Sequence, residues 1–203
     1  KRKKNFIGSC KHSDICVFSF HPVKTITTGE GGAITTNNKS LAKRMIELRS
    51  HGILRKNKYW EYDIKNLGYN YRLSDINCSL GVSQLNRLEK FSQKRKKIFN
   101  VYNKLLSPYK KFFNFVENPN RGDSYHFYLI SIKFNFINSN KDKLFRYLNS
   151  KGIYPQFHYI PIFKFSFFKK KNKSLYRGAN NFYKNSLSLP MFYNLTTNEQ
   201  IFI

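Results

Sequence analysis

SFHPVKTITTGEGG, residues 19–32, joins a reactive side chain to a tightly constrained backbone. The apolar residues 17–20 that lead into it are typical of a buried strand, and Pro22 ends the regular structure there. The glycines of residues 29–32 can adopt positive φ and let a ligand or another backbone approach closely. Lys24, two residues beyond the proline, is therefore predicted to lie in a turn, where its side chain can point into a cavity.

Lys24 is the candidate nucleophile of the chain. A lysine amine that is partly desolvated or close to other cations loses its proton more readily, and the neutral amine can form a Schiff base with an aldehyde. The alternative is a solvated surface lysine, since the chain holds 37 Lys plus Arg. For a lysine chosen at random in so basic a chain the second interpretation would be the stronger, and the choice depends on what the residues around Lys24 resemble.

The composition is that of a globular and strongly basic chain. With 203 residues and 40% hydrophobic content it can bury a core, and its formal net charge is +26. A charge of this size favours nucleic acid or an anionic membrane as a partner. The lysines are spread along the whole chain, however, so we interpret them as a solvated surface and expect no nucleic acid and no membrane as partner.

The cysteine pattern and the start of the chain predict a cytoplasmic protein without a metal. Cys10, Cys16 and Cys78 show no CxxC spacing and no nearby histidine cluster, so we expect reduced thiols and no metal site. No apolar run reaches membrane-spanning length, and the basic start is not followed by a signal-peptide core. Because the first residue is Lys rather than Met, we expect a fragment of a longer protein.

Hydrophobic periodicity predicts alternating strands and helices. The predicted elements are a strand at residues 33–36, a helix capped by 37–40, an irregular segment at 53–71, a helical segment at 75–107, a strand at 125–134, a helix at 139–150, a strand at 153–159 and a helix at 175–186. Pro108 closes the long helical segment, whose apolar stripe, including Leu80 and Leu85, is predicted to face a core. The character of the sequence changes there, so we place a domain boundary after residue 108.

Four stretches resemble the DegT/DnrJ/StrS family of pyridoxal-phosphate (PLP) sugar-nucleotide aminotransferases. The pattern Ser-Phe-x-x-x-Lys with Gly-Glu-Gly-Gly, at residues 19–32, is similar to that family's cofactor-lysine segment. LGYNYRLSD at residues 67–75, GIYPQFHYIPI at 152–162 and LSLPMFYNLT at 187–196 are similar to later family segments. The stretch at 152–162 is most similar to the branch that makes a pseudaminic-acid precursor. The resemblance covers nearly the whole chain but only about the second half of a typical member.

The resemblance implies an α/β fold, the C-terminal part of the aspartate-aminotransferase type. Residues 1–108 would form the end of the large PLP-binding domain with a connecting long helix, and residues 109–203 the small C-terminal α/β domain. It also implies a homodimer. The implied reaction is the PLP-dependent transamination of a nucleotide-linked 4-keto-6-deoxy sugar, UDP-linked and with glutamate as amino donor, in surface-glycan or pseudaminic-acid biosynthesis.

The resemblance further implies roles for five residues. Lys24 would hold the cofactor aldehyde as a Schiff base and later move a proton, and Ser19 would hydrogen-bond the cofactor phosphate. Asn70 would reach that phosphate from the partner subunit, and His21 and His158 would contact the substrate. Without the family, Asn70 is equally explained as a turn residue and His158 as a packed structural histidine. The acidic residue that pairs with the cofactor ring nitrogen lies upstream of the first residue in the family, so the chain alone is expected to be a feeble catalyst.

Two other interpretations stay open. FKFSFFKKKNK at residues 163–173 interleaves aromatic rings with lysines, as proteins that bind single-stranded nucleic acid do, which is typical of a basic polyanion-binding module. An inactive remnant is the other possibility. Its incomplete sheet would expose open strand edges, which favour unfolding and aggregation.

Overall fold

The structure, a computed structural model, describes residues 5–58, 60–115, 124–168 and 176–203. The chain divides into two compact units, residues 1–88 and residues 89–203, which we call the first and the second unit. Each unit combines helices with antiparallel strands.

The first unit begins with an antiparallel pair of strands. β1, Cys16–Ser19, pairs with β2, Gly32–Thr35, and the sequence predicts both strands to within one residue. The first residue of β2 must be glycine, because a Cβ built on Gly32 would lie 2.5 Å from the Phe18 carbonyl oxygen. The segment that holds the candidate lysine is the loop between these two strands.

Helix α1, Lys39–Arg49, follows at its predicted place. The Asn38 side chain caps it by accepting hydrogen bonds from two N–H groups of the first turn. The prediction of an irregular segment at residues 53–71 is wrong in part, since β3, Ile53–Arg55, pairs antiparallel with β4, Tyr62–Ile64. Strands of three residues are too short to show alternation between two faces, so the sequence pattern misses them.

Helix α2, Asp75–Leu85, starts at its predicted cap, Ser74. The prediction of one continuous helical segment at residues 75–107 is wrong, because a turn at residues 86–87 separates α2 from α3, Leu88–Leu106. The apolar spacing continues across this turn, since both flanking segments are helical. Periodicity alone therefore does not reveal it.

The second unit is built on a three-stranded antiparallel sheet. Its strands, in spatial order, are β5, Phe113–Phe115, then β6, Tyr128–Ile132, and β7, Ser186–Leu189. β6 lies within the strand predicted at residues 125–134. β5 and β7 are missing from the sequence prediction, and β7 is buried along its whole length, so it shows no alternation.

One face of α3 packs into the core of the second unit. The core cluster consists of Ile98, Phe99, Tyr102, Tyr128, Ile130, Ile132, Leu187, Leu189 and Leu195. Three of these residues come from α3, which explains why the helix belongs to the second unit, although the sequence places the boundary after residue 108. Leu80 and Leu85, predicted to face a core, are exposed on α2.

Three further helices complete the second unit. They are α4, Lys141–Ser150, α5, Arg177–Asn185, and α6, Thr197–Phe202. The first two agree with predicted helices. The prediction of a strand at residues 153–159 is wrong, because this segment forms only a single bridge, between Gln156 and Ser188. Pro155 has no N–H group to donate to a ladder, which prevents a regular strand there.

Residues 169–173 of the aromatic and lysine-rich run lie outside the described residues. In the described part, Phe163 is buried and stacks on Tyr176 with ring centroids 4.8 Å apart, whereas Phe167 is exposed.

Among the described residues, no helix is long and apolar enough to cross a membrane. Within the same part of the chain, no three or more His, Cys, Asp or Glu side chains are grouped so that they could hold a metal ion.

Candidate active site

Lys24 closes a four-residue turn directly after β1. Its backbone N–H donates to the His21 carbonyl oxygen at 2.9 Å, and Pro22 occupies the second turn position, where its fixed φ is favoured. Lys24 is partly buried. The turn predicted for the candidate lysine is thus confirmed, and the proline causes it by stopping the strand.

Hydrogen bonds to Phe20 close the base of the loop that contains Lys24. The Phe20 carbonyl oxygen accepts from the Thr28 N–H at 3.0 Å and from the Thr27 hydroxyl at 2.9 Å. The Phe20 N–H donates to the Gly31 carbonyl oxygen at 2.9 Å. The two ends of the loop are therefore joined, and the position of the lysine is fixed relative to the end of β1.

The glycine cluster lets this loop pack closely against neighbouring side chains. Gly29 and Gly31 have φ values of +81° and +145°. A Cβ built on Gly31 would lie 2.6 Å from the Thr28 Oγ1 and 2.9 Å from the Leu73 Cδ1. Both the backbone conformation and the packing therefore need glycine, as predicted.

Ser19 and His21 are oriented by the same turn. The Ser19 Oγ accepts from the His21 N–H at 3.4 Å, which leaves the hydroxyl proton available to donate elsewhere. The His21 Nδ1 accepts from the Val23 N–H at 3.3 Å, so in the neutral ring the proton sits on Nε2. That nitrogen lies 3.7 Å from the Glu30 Oε1. Two of the predicted site residues are thus brought onto the turn that carries Lys24.

The sequence reasoning misses three residues that support the turn. Thr28 is 2% exposed, and its carbonyl oxygen accepts a hydrogen bond from the Asn77 side chain on α2. Gly81, one turn further along α2, lies against the same threonine. A glycine inside a helix costs about 1 kcal/mol relative to alanine, so Gly81 is the one signal in the sequence that points to a close contact.

Asn70 lies on a segment tied to the end of α1. It forms an isolated bridge with Ser50, and its neighbours donate hydrogen bonds to the last turn of that helix. Its side chain is exposed. Within the described parts of the chain, no hydrogen bond joins Asn70 to Ser19 or Lys24, and its assignment to the cofactor of the partner subunit stays a prediction.

His158 belongs to the second unit. Its ring stacks on Phe127 with centroids 4.1 Å apart, and Phe127 also contacts the His126 ring at 4.0 Å. His158 is partly buried. This packing agrees with the structural interpretation that the sequence left open, while the predicted substrate contact stays a prediction.

Comparison with known families accounts for nearly every residue of the chain. A single aminotransferase family model matches residues 4–203. This chain belongs to the DegT/DnrJ/EryC1/StrS aminotransferase family. The resemblance carried by the four stretches of sequence is thereby confirmed.

Several known proteins are similar to this chain. The UDP-4-amino-4,6-dideoxy-N-acetyl-beta-L-altrosamine transaminase of Campylobacter jejuni is 40% identical over 194 residues, which is 95% of this chain and 51% of the relative. The structure of Helicobacter pylori PseC, an aminotransferase of pseudaminic-acid biosynthesis, superposes with a TM-score of 0.86 at 33% identity, covering 93% of this chain and 50% of PseC. The PLP form of Streptococcus pneumoniae Spr1654 superposes with a TM-score of 0.83 at 27% identity, covering 95% of this chain and 50% of that protein.

These superpositions confirm the predicted fold class, part of an α/β sugar-aminotransferase fold. The chain spans about half the length of the relatives that it matches. What the complete protein binds and transforms is therefore a matter for proposal.

The residues of the turn fit part of what the DegT/DnrJ/EryC1/StrS cofactor requires. Lys24, a partly buried residue, supplies an amine, and Ser19 supplies a hydroxyl whose proton can be donated to a phosphate. Glu30, the acidic residue nearest to Lys24 in the sequence, faces His21. The site therefore has groups to attach PLP and to bind its phosphate, whereas we assign none of its carboxylates to the ring nitrogen.

Proposed function

We propose that the protein containing this chain transfers the amino group of glutamate to the keto carbon of a nucleotide-linked 4-keto-6-deoxy sugar, with PLP as cofactor. The supporting observation is the Lys24 turn, in which a proline, paired backbone hydrogen bonds and packed glycines fix the backbone of a partly buried lysine. The similar Campylobacter jejuni protein is a transaminase of a UDP-linked amino sugar, which favours a UDP-linked substrate here. The pathway would be surface-glycan or pseudaminic-acid biosynthesis.

In this function Lys24 attaches the cofactor and moves a proton. PLP, when bound, supplies an aldehyde that condenses with amines and a ring that withdraws electrons from the neighbouring carbon. The Lys24 Nζ holds the cofactor between turnovers, as a lysine amine does with carbonyl compounds. Once released, the same Nζ would move a proton between the substrate carbon and the cofactor's exocyclic carbon, as general base and then general acid.

The remaining predicted residues bind the cofactor phosphate and orient the substrate. The Ser19 hydroxyl donates to the cofactor phosphate, and the Asn70 amide of the other subunit donates to the same group without adding charge. His21 has a defined tautomer, with Nε2–H available to a sugar oxygen, and His158 offers a second substrate contact. These roles need a homodimer, which we propose together with a cytoplasmic location. The net charge of +26 suits a phosphate cofactor and a diphosphate-linked substrate.

Covalent trapping tests the cofactor assignment directly. The complete protein is incubated with PLP, reduced with borohydride and digested, and the modified lysines are mapped by mass spectrometry. We expect Lys24 to be modified well above Lys39, an exposed lysine at the start of α1. Lys24→Arg should abolish the preferred site, whereas Lys39→Arg should leave it unchanged. Equal modification of Lys24 and Lys39 would refute the assignment.

Transamination is measured on the complete protein. With a UDP-linked 4-keto-6-deoxy sugar and glutamate, we expect formation of 2-oxoglutarate together with the 4-amino sugar. Lys24→Ala should lower kcat by at least about 100-fold, because it removes both the attachment and the proton transfer. Undiminished turnover in Lys24→Ala would contradict the proposed function.

A further inference from the structure

We propose that Asn77 and Gly81 of α2 are positioning residues for the Lys24 turn, and that they act through Thr28. The inference rests on the proposed function of Lys24. It concerns which contacts hold the amine in place, and it joins the turn to a helix that lies far from it in sequence.

Thr28 is the central residue of the contact between α2 and the loop that contains Lys24, because each of its polar groups forms a hydrogen bond. Its N–H donates to the Phe20 carbonyl oxygen at 3.0 Å, and its hydroxyl donates to the Glu30 carbonyl oxygen at 2.7 Å. Its own carbonyl oxygen accepts from the Asn77 side chain. Since Thr28 is 2% exposed, no water replaces any of these partners if one is lost.

Two hydrogen bonds fix the orientation of the Asn77 side-chain amide. Its Oδ1 accepts from the hydroxyl of Ser74, the cap of α2, and its Nδ2 donates to the Thr28 carbonyl oxygen. The Asn77 backbone N–H donates to the Ser74 Oγ at 3.3 Å. The first turn of α2 and the loop of Lys24 are therefore joined through one fixed side chain.

Gly81 makes the close approach possible. A Cβ built on it would lie 2.8 Å from the Thr28 Cγ2. Gly31 also packs against Thr28, at a distance where a Cβ would lie 2.6 Å from the hydroxyl oxygen. Glycine is thus required on α2 for the threonine to sit where it holds the turn.

α2 begins five residues after Asn70, the residue expected to serve the cofactor of the partner subunit. Asn70 itself is held by the end of α1, through the bridge to Ser50, so the two residues of α2 act on the lysine turn.

The first test replaces Asn77 by Asp. This change keeps the shape and the contact with Ser74 but removes the donor to Thr28. A carboxylate in the first turn also favours the helix, so α2 itself should not be weakened. We expect the Lys24:Lys39 ratio of PLP trapping to fall about fivefold, the population change that follows from one lost hydrogen bond.

The second test uses a matched pair of glycines and a rescue. Gly81→Ala should lower the same trapping ratio, whereas Gly178→Ala, in α5, should not, since a Cβ there meets nothing within 4 Å. Adding Thr28→Ser to Gly81→Ala removes the Cγ2 that the new methyl group would strike and keeps the hydroxyl. We expect the double variant to recover most of the loss, which a general destabilisation would not allow.

Hydrogen exchange gives a readout that needs no cofactor. The Thr28 amide should exchange about fivefold faster in Asn77→Asp than in the unaltered chain. If Lys24 traps PLP in the unaltered complete protein and the variants leave both trapping and exchange unchanged, the positioning role is refuted while the proposed function stands. If Lys24 shows no preference over Lys39 in the unaltered complete protein, the proposed function fails, and the role proposed here fails with it.

Discussion

The two units of this chain are stabilised in different ways. Every apolar side chain that is buried, among the described residues, belongs to the second unit, where α3 packs on the three-stranded sheet. In the first unit Ile76 is 84% exposed, and Val17 and Ile34 lie on the exposed face of a two-stranded pair. The first unit depends instead on backbone hydrogen bonds and on close approaches at glycine. A two-stranded pair is marginal by itself, so we expect the second unit to be the more stable.

The largest expected effect comes from truncating the same side chain in each unit. Leu195 is 1% exposed in the core of the second unit, and Leu67 is 78% exposed in the first. Leu195→Ala should lower the free energy of unfolding of the second unit by about 3 kcal/mol, through lost burial and a cavity. Leu67→Ala should change the stability of the first unit by less than about 0.5 kcal/mol.

Hydrogen exchange in rising urea, mapped by mass spectrometry, follows the two units separately, because peptides from residues 1–88 report on the first unit and peptides from 89–203 on the second. Equal effects of the two leucine substitutions would contradict the difference between the units.

The same contrast explains how much of the fold the sequence predicts. α1 is predicted because its signal is local, the capping side chains at residues 37–40, of which Asn38 is the cap in the structure. β7 is missed because its burial depends on strands and helices that lie far from it in sequence. Local signals therefore predict element type best where an element begins with a cap or ends at a proline or glycine.

The candidate site also combines local and distant contacts. The turn at Lys24 is predicted because Pro22 and the glycine cluster lie within a few residues of it. The contact between Asn77 and Thr28 spans 49 residues of sequence, and no periodicity or spacing indicates it. Such a contact is determined by the packing of a helix on a loop, which only the structure shows.

A pair of glycine substitutions tests whether close backbone contacts stabilise the first unit. Gly52 and Gly152 have φ values of +72° and +76°, but a Cβ on Gly52 would lie 2.0 Å from the Asn66 carbonyl oxygen, whereas one on Gly152 meets nothing within 4 Å. Alanine should cost about 1 kcal/mol at either position for the left-handed backbone. Gly52→Ala should cost about 2 kcal/mol more, because a backbone atom must move.

Hydrogen exchange of the same two sets of peptides measures these glycine variants. Peptides that contain β3 and β4, the hairpin that begins directly after Gly52, report on Gly52→Ala, and peptides of the second unit report on Gly152→Ala. If both variants lose the same stability, the close approach at Gly52 does not contribute.

The smallest expected effect is a pH dependence confined to the second unit. Burial raises the pKa of Tyr128 above its usual value of 10, and the Tyr128 hydroxyl donates to the Asn103 Oδ1 at 2.8 Å. Above pH 10 the unfolded chain therefore loses this proton while the folded chain keeps it. Stability is fully present below pH 10 and falls as the pH rises further, by about 1.4 kcal/mol per pH unit.

Tyr128→Phe separates this effect from simple packing. The variant should be about 1 kcal/mol less stable at pH 8, since the Asn103 acceptor loses its donor, yet its stability should fall less steeply above pH 10. Tyr102, whose pKa burial also raises, should account for a second proton, so the double Phe variant should show the shallowest alkaline slope. Urea denaturation of the second unit between pH 8 and pH 11 measures these slopes. An unchanged slope in Tyr128→Phe would mean that its hydroxyl ionises equally easily in the folded chain, and that the tyrosine core is open to water as the first unit is.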